Sequence, residues 1–211
     1  MNTQQFEKQL KEWFTNWQKT FEEMQVQFNL GKMDAAEAFE TNKNKLKEMV
    51  LQFKHQLETS VDSAEAYTQK LKAMFDDLLV QLSLGKAETK EAFLEQKKKI
   101  EDALNQIYNE SKQIYNRNMT YALNMFDNNA QAFKAGIEMM QLQYTLMKMD
   151  ARDEADEARK KLNEKMNEFF VYADKAKDLT IENIEEFNKS LRENYNKMNS
   201  WLSDWLNKPN T

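Results

Sequence analysis

Apolar residues recur at Phe6, Leu10, Trp13, Trp17, Phe21, Met24 and Phe28, at intervals of 4, 3, 4, 4, 3 and 4 residues. Such intervals place side chains on one stripe of an α-helix, whereas a half-buried strand repeats every second residue. The ladder resumes at Leu46, Met49, Phe53, Leu57, Val61, Ala64, Tyr67, Leu71, Phe75, Leu78 and Leu82 with hardly a change of phase. Three glycines and one proline, Pro209, in 211 residues leave little of the punctuation that sheets and tight hairpins need. The fold class is therefore all-α. The stripe is narrow, about two apolar positions in seven, and predicts an elongated antiparallel helical bundle or coiled coil.

Turn chemistry is sparse along this ladder. Thr59-Ser60-Val61-Asp62-Ser63 sets Asp62 and Glu65 at capping-box spacing, Tyr115-Asn116-Arg117-Asn118 forms a second polar cluster, and Leu179 and Ile184 flank a candidate N-cap at Thr180. Turns near 60, 118 and 179 predict three long helices, about 3–58, 62–116 and 119–177, and a shorter fourth, about 181–207. A matching pattern of Phe6, Leu10, Lys11, Phe14 with Tyr67, Leu71, Lys72, Phe75 and Phe187, Leu191, Arg192, Tyr195 begins just inside three of them. No linker rich in Pro, Gly or Ser divides residues 1–211, so a single domain is expected.

One motif repeats. VQFNLGKMDAAEAFETNKNKLKEMV at residues 26–50 returns as VQLSLGKAETKEAFLEQKKKIEDAL at residues 80–104 with ten of twenty-five positions identical, and a weaker copy lies near 142–166. Gly31 followed by Asp34 and Glu37 is good turn grammar. Glu88 stands at the cap position of the second copy, however, and Met147 at the glycine position of the third, where a left-handed joint would be strained. The motif is accordingly placed inside the helices, at the waist of the bundle, as a register lock. There Gly31, Asp34, Gly85, Lys86, Glu88, Lys148 and Asp150 would let three helices approach and pair opposite charges, Asp34 with Lys86, Lys86 with Asp150 and Glu88 with Lys148.

Chemistry-bearing motifs are few. The chain has no cysteine and one histidine, His55, with Gln52 three residues before it, so neither thiolate chemistry nor the Glu-x-x-His pattern of di-iron bundles is present. Leu-Gly-Lys lacks the glycine spacing of a phosphate loop. No catalytic residue, cofactor or metal site is assigned. Acids outnumber bases, 35 to 30, and are intermixed with them, which gives no footprint for nucleic acid. The one basic run, Lys97-Lys98-Lys99, sits among Glu95, Glu101 and Asp102 and reads as a solvated helix face. Charged residues at 31% and a mean hydropathy of -0.88 argue against membrane spans, and a cytoplasmic location is expected.

Two features stand out as interaction surface. The four tryptophans form pairs four residues apart, Trp13 with Trp17 and Trp201 with Trp205, suited to sealing a core or to anchoring a partner or lipid interface. The stretch GIEMMQLQYTLMKMD, residues 136–150, is apolar on nearly every side of a helix, so the third helix should be central. The short fourth helix would not reach it, leaving Met139, Leu142 and Leu146 for a second copy or another helix to cover. These features predict a non-enzymatic structural or interaction protein, a self-assembling or scaffold bundle. The alternative is an amphipathic coat on lipid or storage granules, behaving as apolipoproteins or phasins do. Interfacial helices carry more Lys and Arg beside a wider apolar face, which favours protein contacts.

Overall fold

A computed structural model describes residues 35–60, 66–113, 117–146, 152–175 and 183–207, with isolated positions 8, 12, 15, 19, 23 and 26 ahead of them. The described residues contain helices and no strand: α1 (Ala35–Ser60), α2 (Ala66–Leu82), α3 (Lys90–Ser111), α4 (Arg117–Leu146), α5 (Arg152–Asp174) and α6 (Ile184–Leu206). Helices stop and restart across 60–66, 111–117 and 174–184, close to the predicted turns, but Asp62 and Thr180 lie outside the described residues and α6 starts after Asn183; the predicted second and third long helices are each divided in two. Among the described residues there are six helices of 17 to 30 residues, α4 being the longest, in place of the predicted three long helices and a shorter fourth.

The break between α2 and α3 has a local cause. Thr89, in extended conformation, accepts a hydrogen bond on its side chain from the Ala92 amide at 3.1 Å and so caps α3. Ser83 Oγ donates to the Leu79 carbonyl at 2.7 Å and closes α2. The true cap stands one residue after Glu88, and the second repeat copy is a turn, not a mid-helix waist. Gly85, Lys86 and Glu88 are exposed on this loop and not inside a helix, where the predicted register lock puts them. Gly31, Asp34, Lys148 and Asp150 lie outside the described residues.

Neighbouring helices alternate in direction. Lys43 reaches Leu84 while Lys54 meets Asp76, which runs α1 against α2. Gln96 meets Gly85 and Glu110 meets Lys70, which turns α3 back along α2. Lys97 with Glu138 and Asn105 with Lys134 set α4 antiparallel to α3. Asn188 with Asn124 and Arg192 with Asp127 lay α6 parallel to α4.

Phe53, Phe75 and Phe126 bring α1, α2 and α4 together with ring centroids 5.0 to 5.3 Å apart, and Phe39 meets Phe93 edge-on at 4.8 Å between α1 and α3. Tyr172 stacks on Phe187 between α5 and α6 at 5.2 Å. Aromatic pairs of this kind add to simple area burial. α4 is the central helix: from Tyr121 to Met140 every residue except Asn124 is buried. Met139, Met140 and Leu142 are therefore core side chains of a single chain, and the expectation that Met139 and Leu142 await an external helix is corrected. The Leu146 side chain lies outside the described residues.

Candidate functional site

The functional candidates are polar side chains inside the bundle. On α4, Asp127, Gln131, Lys134 and Glu138 follow one another at intervals of 4, 3 and 4, and all four are buried. That spacing gathers them on one helix stripe, which faces α3 and α6.

Glu138 is 1% exposed and accepts hydrogen bonds on both oxygens from Lys97 Nζ at 2.7 Å. Lys97 also donates to Gln141 Oε1. From α6, the Tyr195 hydroxyl donates to Glu138 Oε1 at 3.0 Å and lies 3.5 Å from Glu101 Oε1. Burial, and then the charges of Glu138 and Glu101, push the Tyr195 phenol above the ordinary tyrosine range, so it is a fixed donor. Burial raises the Glu101 carboxyl as well, with Lys97 opposing it.

Further along the stripe, Lys134 donates to Asn105 Oδ1 at 2.6 Å, and burial with the nearby Arg192 charge lowers its ammonium below the usual lysine value. Asp127 takes a two-pronged contact from Arg192, with Nε to Oδ2 at 2.9 Å, and Gln131 adds a third donor. Burial nevertheless raises the Asp127 carboxyl, because desolvation outweighs the guanidinium. The same guanidinium lies 3.2 Å from the centroid of the Tyr108 ring.

At the end of this seam a cleft of about 880 Å³ opens between α3, α4 and α6. Tyr108 and Lys112 line one side, Asn124 and Thr120 the floor, and Glu185 and Lys189 from the first turns of α6 the other. Asn188 donates to the Asn124 side-chain oxygen at 2.7 Å and to its carbonyl at 3.0 Å. Its own Oδ1 is buried without a hydrogen-bond partner.

A second buried cation sits at the other side of the bundle. Lys43 on α1 donates to the Leu84 carbonyl at 2.7 Å and to Gln96 Oε1 at 2.8 Å, and pairs with Glu40 at 2.6 Å. It ties the α2–α3 loop, the second copy of the repeated motif, to the first copy.

The predicted interaction residues are distributed unevenly over this arrangement. Trp201 and Trp205 are half-buried on α6 and pack on the core, while Trp13 and Trp17 lie outside the described residues. His55 is exposed on α1. The basic run divides: Lys98 and Lys99 face solvent, the latter paired with Glu95 at 2.6 Å, but Lys97 turns inward to Glu138. Sequence reasoning missed the interior stripe because charges at helical spacing normally mark the wet face. The available signal was that Glu138 stands within the stretch 136–150, which is apolar on nearly every side of a helix.

Among the described residues, no group of three or more His, Cys, Asp or Glu is arranged to hold a metal ion, and no helix is long and apolar enough to cross a membrane. The class these features define is an all-α bundle with an ion-paired interior seam. Comparison with protein-family models, curated proteins and solved structures found no match.

Proposed function

We propose that this chain is a non-enzymatic structural or interaction protein, a helical scaffold that self-assembles or docks a helical partner. The observation that carries this reading is how the interior charges are engaged. Lys43, Lys97, Lys134 and Arg192 each meet a side-chain acceptor from a different helix, across 2.6 to 2.9 Å. Glu138, the least exposed carboxylate of the seam, is held by Lys97 and Tyr195 together. A general acid or base needs a face open to substrate within hydrogen-bond reach, and these groups are turned toward one another. Their arrangement suits fixing helix order and register.

The lipid-coat alternative draws on one observation. Because the polar residues of α4 share a stripe, that helix would stay amphipathic if the bundle opened. The pairing across the seam favours the closed form. Sedimentation velocity over a range of concentrations, read beside flotation on phosphatidylglycerol vesicles, separates the two. Mass that rises with concentration, without flotation, is the expected result. Flotation by a monomer would replace the scaffold reading with the coat.

A further inference from the structure

The bundle has two kinds of seam. Where α1, α2 and α4 meet, Phe53, Phe75 and Phe126 form a closed aromatic cluster. Where α6 meets α3 and α4, hydrogen bonds of Asn188 with Asn124, Arg192 with Asp127 and Tyr195 with Glu138 run beside a buried apolar stripe of α6. Separating aromatic rings into water forfeits their burial, whereas separated charges regain hydration. Two further observations fall on the polar seam, the first of them shared with Asn128 and Asn129 on α4. Asn188 Oδ1 is a buried acceptor without a partner, and such a group penalises the closed state. The cleft of about 880 Å³ already lets water between the first turns of α6 and the facing ends of α3 and α4.

We infer that α6 is a latch, which lifts from α3 and α4 beginning at its cleft end while the aromatic core of α1, α2 and α4 stays closed. Elements that open below the global unfolding threshold are those with more polar, better-hydrated interfaces. Lifting uncovers Leu191, Met198 and Leu202, which share one stripe and are buried in the closed form. Burial of that stripe keeps the open form a minor one. If the scaffold reading holds, the uncovered stripe is the surface a partner helix meets; the latch itself does not depend on that reading.

Amide hydrogen exchange of the full chain, resolved by mass spectrometry under conditions where reclosing outpaces exchange, tests the latch. Segments within residues 187–202 are expected to exchange about ten-fold or more faster than segments within residues 43–57 and 70–80, after correction for intrinsic rates. In Asp127→Leu/Arg192→Met, which makes the seam apolar, the ratio is expected to fall toward one. Equal protection of α6 and α1 in the wild type overturns the latch, as does a ratio that the apolar seam leaves unchanged. Should that variant fail to fold, the wild-type ratio decides by itself. Loss of concentration-dependent mass would count against the scaffold reading and leave this result intact.

Discussion

The ammonium of Lys43, fully buried on α1, donates to the carbonyl oxygen of Leu84 at 2.7 Å, across the gap between the two copies of the repeated motif. The side chain satisfies carbonyls of a loop that no helix hydrogen bond can reach, since Leu84 lies past the end of α2. One charged group thereby fixes where the chain turns.

Removing that group should unsettle the turn more than any exposed lysine would. Lys43→Met keeps most of the apolar stem but leaves the Leu84 carbonyl, Gln96 and Glu40 without their donor. The loss of a buried charged partner costs about 3 kcal/mol or more. At about 2–4 °C per kcal/mol for a chain of this size, the melting temperature should fall by roughly 6 °C or more. Exposed Lys98→Met should leave it within about 2 °C, an outcome consistent with a surface change of under roughly 0.5 kcal/mol.

The turn itself divides into a sensitive and a tolerant position. Thr89→Ala deletes the cap on α3 and should lower stability by about 1 kcal/mol, while Thr89→Ser should retain most of it. Gly85→Ala is the contrasting case: a Cβ there meets nothing within 4 Å, and the backbone is not in the left-handed region. It should be neutral or stabilising by up to about 1 kcal/mol, acting through the unfolded chain. Urea midpoints of the three variants give the comparison, and a cost at Gly85 larger than that at Thr89 would contradict this account of the loop.

Across the interior seam, the pair of Lys97 and Glu138 should behave as one unit. Glu138→Gln keeps the shape but removes the charge that compensates Lys97, so a loss of roughly 3 kcal/mol is expected. Lys97→Met alone leaves the carboxylate with Tyr195 only. The double variant should lose less than the sum of the two, with a coupling of about 1 kcal/mol or more from denaturation curves. Additive losses would mean that the contact holds no interaction energy of its own.

How much of this was legible in the sequence depends on which physical signal each part uses. The all-α class and the turn sites near 60, 118 and 179 follow from periodicity and capping clusters, both local properties. The centrality of the helix holding Met139 and Leu142 followed from its apolar circumference. The break at Gly85 is locally encoded too, in Ser83 and Thr89, but the cap stands one residue after Glu88, which holds the cap position of the repeat. The interior seam was not legible: Lys97 and Glu138 are 41 positions apart, and nothing local distinguishes Lys97 from the exposed Lys98 beside it. Only the fold assigns one of them to the core.

The seam also sets a dependence on pH whose sign follows from the direction of each shift. Burial raises Glu101 above its ordinary value of 4.5 and Asp127 above 3.8, so the folded chain holds these protons more tightly than the unfolded chain. Their stabilising contribution is fully present below those ordinary values and is lost as pH rises through the raised ones. Lys134 is shifted the other way, below 10.5, and its contribution is present above that value and lost as pH falls. Lys97, Lys134 and Arg192 face the carboxylates from α3, α4 and α6, and they temper the shifts without reversing them. Glu101→Gln removes one titrating group while keeping a polar side chain beside Tyr195. Unfolding free energies of this variant and the wild type, measured at intervals from pH 4 to pH 7, should diverge, the variant gaining relative to the wild type as pH rises. A difference that stays flat, or that shrinks toward pH 7, would show that Glu101 is no more costly to ionise in the folded chain than in the unfolded one.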